Sequence, residues 1–164
     1  MIKKQLTVLL AVLLLTGCAH VISPNARNEA DNSISFQALV HNPEKYTGKT
    51  VILGGRIIQI RRSGEETLLE VLQLPLDWRY QPEDSDVSYG RFMLLFKDYR
   101  DPEIYKKRRR ITVAGKIIGG KVMPLDQREY TYPVIMPAEV HLWKDGNASS
   151  PRFHFGIGIG GVIK

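Results

Sequence analysis

From Thr50 onward the apolar positions of this chain mostly alternate with polar ones, the period of a half-buried strand. Thr50 to Arg62 carries Val51 and Leu53, then Gly54-Gly55, then Ile57, Ile58 and Ile60, so the apolar parity switches near the glycine pair. Such a switch predicts a bulge or a sharp bend. Arg62-Ser63-Gly64-Glu65 predicts a turn into a second strand, Thr67 to Leu74, apolar on both faces. Pro75 to Ser88 reads as a long loop. A third strand follows from Arg91 to Lys97, with Phe92, Leu94 and Phe96 on one face. Asp101-Pro102-Glu103 is a helix-start signal, a cap followed by proline at the first position, and predicts one or two turns through Tyr105. Arg110 to Ile118 aligns Ile111, Val113, Gly115 and Ile117 as a fourth strand, which Gly119-Gly120 turns. Tyr130 to Trp143 is the fifth, interrupted by Pro133 and Pro137 and therefore bent or at an edge. Ahead of the strands, Ser35 caps a stripe of Phe36, Leu39, Val40 and Pro43, a short helix that stops before Pro43.

Three strands, a short helix and two strands, the first long and bent near glycine, predict a mainly β fold: a small five-stranded OB-like barrel with one or two short helices. An open sheet or sandwich of similar strands is the competing architecture.

The start of the chain has a different pattern. Lys3 and Lys4 precede a nearly unbroken apolar run from Leu6 to Leu15. Ten helical residues rise about 15 Å, half of a hydrocarbon core of about 30 Å, so the run is too short to span a membrane. Charge, short apolar run and small residues in that order read as a secretory signal peptide. Leu15-Thr16-Gly17-Cys18 resembles the lipobox of bacterial lipoprotein precursors. In such precursors the thiol takes a diacylglycerol, the peptide is cut before the cysteine, and a further acyl chain is usual on the new amino terminus. Two or three chains, at about 0.8 kcal/mol per buried methylene, anchor a protein where one does not. Ala19 in place of Asp implies, by the same resemblance, sorting to the outer membrane. His20 to Asn32 is polar and without periodicity, and reads as a flexible tether. The expected organisation is a signal peptide over 1–17, a lipidated flexible tether over 18–34, a barrel domain over 35–145 and a glycine-rich tail over 146–164.

Composition narrows the chemistry. The formal charge of +6 falls to +4 once Lys3 and Lys4 are removed with the leader, a modest excess. Cys18 is the single cysteine, which excludes an internal disulfide and a cysteine-based metal cluster. The histidines, His20, His41, His141 and His154, lack ligand-type partners at metal-site spacing, so no metal is expected. There is no nucleophile elbow and no phosphate-binding glycine loop. The chain is therefore expected to be no enzyme and to hold no cofactor. Glu83-Asp84-Ser85-Asp86 lacks the glycine and distal glutamate of a calcium loop and reads as a solvated acidic turn.

Asp77 leads into Trp78-Arg79-Tyr80, the side chains most enriched at binding hot spots, on a long loop over the barrel. Trp78, Arg79 and Tyr80 are the candidate interaction residues; the alternative is that Trp78 and Tyr80 close the barrel as core. Alanine replacement of both then separates the two, since only core residues lower the melting temperature. Lys106-Lys107-Arg108-Arg109-Arg110 is the densest charge run. It reads as a solvated turn, with anionic head groups as the alternative; nucleic acid is not expected in an exported protein. Phe153, Phe155, Ile157 and Ile159 alternate in the tail and fit an edge strand, self-assembly or a disordered end equally.

Taken in order, the lipobox, Tyr46-Thr-Gly-Lys49 with Gly54-Gly55, Glu70-Val-Leu-Gln-Leu-Pro-Leu-Asp77, Gly90-Arg-Phe92, Asp101-Pro-Glu-Ile-Tyr105, Ile111-Thr-Val-Ala-Gly115 and Tyr132-Pro133 to Trp143 resemble the Slp family of enterobacterial outer-membrane lipoproteins. The resemblance covers nearly the whole expected domain. It implies an outer-membrane lipoprotein, facing the periplasm, linked in general terms to starvation or stationary-phase stress. It carries no catalytic residue, and only Cys18 transfers with a chemical role. The tail from Ser149 to Lys164 departs from the pattern of some members. An accessory role toward an envelope protein or polymer is the expected function, with an OB-type binder of an envelope oligosaccharide or small metabolite as the alternative.

Overall fold

The computed structural model describes residues 20–144. The leader, Cys18 and the glycine-rich tail lie outside the described residues. Five strands, β1 (Thr50–Ser63), β2 (Glu66–Leu74), β3 (Arg91–Phe96), β4 (Arg110–Leu125) and β5 (Arg128–Leu142), close into a barrel in the order β1-β2-β3-β5-β4. Every seam is antiparallel except β3–β5, a short parallel seam at Met93↔Val134 and Leu94↔Ile135. A barrel leaves no open edge, so Pro133 and Pro137 of β5 do not mark one; Pro137 instead lies at a register shift where β5 bends.

The expected alternation fills the interior. Val51, Ile57, Leu69, Val71, Phe92, Leu94, Phe96, Ile111, Val113, Ile117 and Ile135 are buried together. Phe92 and Phe96 are four residues apart on one strand, about 13 Å. Each meets a ring that closes an end of the barrel. Phe36 of α2 (Phe36–His41) packs edge-on against Phe92 with ring centres 5.9 Å apart, and Tyr105 against Phe96 at 5.6 Å. Ser35 caps α2 by accepting from the Ala38 amide, and a 3-10 turn follows at Pro43–Tyr46.

Four expectations are corrected. Residues 20 to 34 are not a tether. Ser23 accepts from the Ala26 amide and Pro24 begins a helix, α1 (Pro24–Glu29); Ile22 and Ala26 are buried against Ala114, and Ala30 bridges Thr50. The segment lacks an apolar stripe because Ile22 and Ala26, with half-buried Val21, are all that it packs on this surface. Second, Gly119-Gly120 does not turn the chain. β4 bulges there and runs on to Leu125, and the hairpin turns at Asp126-Gln127, with Asp126 at φ 55°. The glycines make room for the 3-10 turn: a β-carbon on Gly120 would stand 2.5 Å from the Pro43 ring, and the Gly120 amide donates to Glu44 at 2.8 Å. Third, the bulge that the switch in parity predicts is present in β1, but it falls at Ile58, between Ile57↔Val71 and Gln59↔Glu70, three residues past the glycine pair. Those glycines serve close approach, since β-carbons there would collide with Leu76 and with the Leu72 carbonyl. Fourth, the one or two turns expected through Tyr105 are a single turn, closed by the Ile104 and Tyr105 amides on the Asp101 carbonyl, and not a helix.

Candidate interaction loop and barrel faces

Two outer faces of the barrel are covered, and the candidate residues lie on one of them. On the outer face of β1 and β4, Ile52 and Ala114 point away from the interior, and Val21, Ile22, Ala26 and Tyr80 pack on them. The chain that supplies Tyr80 leaves β2 and crosses this face, where the missing side chain of Gly54 admits Leu76. Leu76 bridges Pro82, and the tip between them is fixed by Asp77. Its carboxylate accepts from the Arg79 and Gln81 amides, each at 2.8 Å, its amide donates to the Gln81 carbonyl, and its carbonyl accepts from Tyr80. Burial pushes the Asp77 carboxyl up, but the two amides and the Arg79 guanidinium together hold it below the ordinary value.

Within this frame the three predicted residues divide. Trp78 is 68% exposed. Arg79 lies over its ring at 5.4 Å and pairs with Asp77 at 3.6 Å. Tyr80 is half-buried, sits at φ 64°, and its carbonyl accepts from the Thr112 hydroxyl at 2.6 Å, while that hydroxyl accepts from the Trp143 indole at 2.9 Å. Tyr80 is thus part of the packing and Trp78 is not. His20 stands beside both rings, its centre 6.3 Å from Trp78 and 5.9 Å from Tyr80. Cys18, the predicted lipidation residue, is outside the described residues.

The basic run is only partly a solvated turn. Lys106, Lys107 and Arg108 are exposed, but Arg109 donates to the Trp143 and Ile104 carbonyls and Arg110 to the Pro82 carbonyl. Glu83, Asp84 and Asp86 are exposed. His141 packs on Trp143 at 4.6 Å, and burial followed by the Arg109 charge lowers its pKa. Among the described residues, no three His, Cys, Asp or Glu side chains converge as metal ligands.

The second covered face explains why β2 is apolar on both sides. The β4–β5 hairpin folds over the outer face of β2 and β3, burying Met93, Tyr132 and Val134 with Leu68, Leu95, Met123 and Tyr130. Tyr130 fastens the hairpin: its hydroxyl accepts from the Arg91 amide at 2.9 Å, and a β-carbon on Gly90 would collide with it. Beneath lies Glu70, 3% exposed, which the sequence marks only by its place in the Glu70 to Asp77 stretch. It accepts from Gln59, from Arg91 at 2.6 Å and from the Tyr132 hydroxyl at 3.3 Å. Burial pushes its carboxyl up; the Gln59 and Arg91 hydrogen bonds, with the Arg91 charge and Tyr132, outweigh that and hold it below the ordinary value. A lone charge in a strand apolar on both faces was the signal for this network. Beside it a groove of about 370 Å³ is lined by Arg61, Arg62, Glu66 and Lys121 over Leu68, Leu95, Met123 and Val134.

Residues 15–157 match the family described as "Outer membrane lipoprotein Slp family". The chain belongs to the Slp family. Among its Slp-like relatives, an uncharacterized protein of Haemophilus influenzae is 33% identical over 132 residues, 79% of this chain and 70% of that one. The Outer membrane protein Slp of Escherichia coli K12 is 27% identical over 142 residues, 85% of this chain and 74% of that one. This Slp-family chain is accordingly a lipid-anchored lipoprotein of the outer membrane. In fold it is similar to the Schizosaccharomyces pombe Pot1pC structure bound to single-stranded DNA, over 63% of this chain and 83% of that one, at 7% identity. The TM-score of 0.32 is too low for that likeness to carry an argument.

Proposed function

We propose that this Slp-family protein is a non-catalytic accessory of the cell envelope, held by acyl chains on Cys18 with its barrel on the periplasmic side. The Trp78-Arg79-Tyr80 tip is the surface by which it meets another envelope component, in a role tied to starvation or stationary-phase stress. The observation that supports this reading is the tip itself. A large aromatic ring is left 68% in water at the end of a loop whose backbone is held by Asp77 on both sides. A rigid, exposed aromatic loses little entropy on binding, which is why such residues dominate contact energetics. Crosslinking from position 78 in intact stationary-phase cells, with the native anchor present, is expected to label an envelope component, whether lipid, protein or polymer. Labelling at position 78 no greater than at exposed Glu103 would remove the reading.

A second reading, a binder of a small envelope metabolite, is favoured by the groove over β2 and β3. Its three cations and apolar floor suit a small anion with an apolar part. It offers no aromatic platform for a neutral sugar. Thermal shift with anionic and neutral panels tests this: anions are expected to raise the melting temperature, and R61A/K121A to abolish the rise. An equal response to neutral glycans would count against it.

A further inference from the structure

We propose that the partner of the Trp78-Arg79-Tyr80 tip is the phosphate-bearing headgroup layer of the membrane that holds the protein's own acyl chains; this rests on the reading that Cys18 carries them. The argument begins with the length of the leash. Only Ala19 separates Cys18 from His20, so the two steps between them reach about 7 Å at full extension. From His20 on there is no slack. Ile22 is buried on the barrel, the Ser23 amide and hydroxyl donate to Glu139 of β5, and Ala30 bridges β1. The barrel therefore sits against the membrane at whatever surface surrounds His20.

That surface is the tip. The His20 ring lies beside Trp78 and Tyr80, at 6.3 and 5.9 Å. The interfacial layer of each leaflet is about 5–7 Å deep, so an acylated residue 18 sets these rings at its depth. Their chemistry suits it. Tryptophan and tyrosine concentrate at membrane interfaces because one side of the ring is apolar and the other hydrogen-bonds. Arg79, stacked on Trp78 and 53% exposed beside Asp77, presents its guanidinium where phosphates lie, and surface cations are attracted to an anionic headgroup layer. Asp77 turns one carboxylate oxygen onto the Arg79 and Gln81 amides and faces the Arg79 guanidinium with the other at 3.6 Å, while the exposed acids Glu83, Asp84 and Asp86 follow the Leu76–Pro82 bridge that closes the tip. Among the described residues the Trp78 ring meets Arg79 and His20 and keeps 68% of its surface in water, a surface the headgroup layer would cover.

The test uses the full-length acylated protein in vesicles of phosphatidylethanolamine and phosphatidylglycerol. The chain has two tryptophans, Trp78 and Trp143, so W78F isolates the second. Trp78 emission is expected to be quenched by brominated acyl chains and shielded from aqueous iodide, and the bromolipid-sensitive component to be lost in W78F. Emission that stays open to iodide and indifferent to bromolipid, in protein shown by mass spectrometry to be acylated at Cys18, overturns the inference and leaves the anchor reading standing. Protein found unacylated at Cys18 overturns both. A Trp78 that is wet on vesicles but shielded in intact envelopes overturns the inference in favour of a protein or polymer partner.

Discussion

Trp78 and Tyr80 are two positions apart and face different environments, so their replacements separate cleanly. W78A removes a mostly exposed ring that meets Arg79 and His20 outside the core, and is expected to leave the melting temperature nearly unchanged. Y80A takes a ring from the cluster of Val21, Ile22, Ala26 and Ile52 and is expected to cost about 1–3 kcal/mol, several degrees on a thermal scan. Equal melting temperatures for the two variants would contradict this division. The residue types of the tip were legible in the sequence, but their division was not. It depends on φ 64° at Tyr80 and on the Thr112 hydroxyl, which arrives from a strand 32 residues away. Glu70 was hidden for the same reason. Its partners Gln59, Arg91 and Tyr132 come from three other strands, and only the pairing of β2 with β1 and β3 and the fold of the hairpin gather them. A carboxyl whose folded pKa lies below its unfolded one stabilises at pH above the unfolded value, and that contribution disappears as pH falls through the folded value. Stability is therefore expected to fall with acid below the ordinary glutamate value of 4.5. E70Q is expected to cost roughly 1–3 kcal/mol at pH 7 and to flatten this acid limb in urea titrations. An unchanged acid limb would mean that other carboxylates carry it.

At the scale of elements, the five strands were readable because their inward positions alternate strictly, as in Phe92, Leu94 and Phe96. The errors cluster where a local signal has two meanings. Gly119-Gly120 reads as a turn, yet Gly119 takes φ 119° inside β4 to let the strand bulge past Glu44. G119A is expected to be destabilised by about 1–3 kcal/mol, because a side chain is strained in that conformation. E44A, which removes only the clasp, should lose less. Chemical denaturation of the two side by side checks the order. Helix α1 carried its own mark, Ser23 followed by Pro24, but only Ala26 and Ile22 are apolar enough to bury, so no periodicity announced it. Its attachment is polar instead: two bonds from Ser23 hold the Glu139 carboxyl below its ordinary value. S23A loses the cap and this attachment together, and is expected to cost about 1 kcal/mol. Amide exchange should quicken across residues 26–30 and stay unchanged in β3; uniform acceleration would show that α1 is integral to the barrel.

For the molecule as a whole, closure of the barrel was foreseeable from strand number and from the long first strand, which pairs with both β2 and β4. The distribution of function over its outside was not, because it depends on which strands are neighbours. In the order β1-β2-β3-β5-β4, the β1–β4 seam that carries α1 and the tip lies across the barrel from β3. With the tip on lipid, the cationic groove over β2 and β3 faces away from the membrane, open to solutes. The docking of α1 has a further mechanical meaning. If Cys18 carries the acyl chains as proposed, the thirty-odd residues from it to β1 can stretch about 100 Å before the barrel forms. Once β4 and β5 are in place, α1 lands on them and the free length shrinks to the two steps between Cys18 and His20. On that anchor, folding would work as a winch, reeling the barrel toward the bilayer as α1 docks on the last two strands.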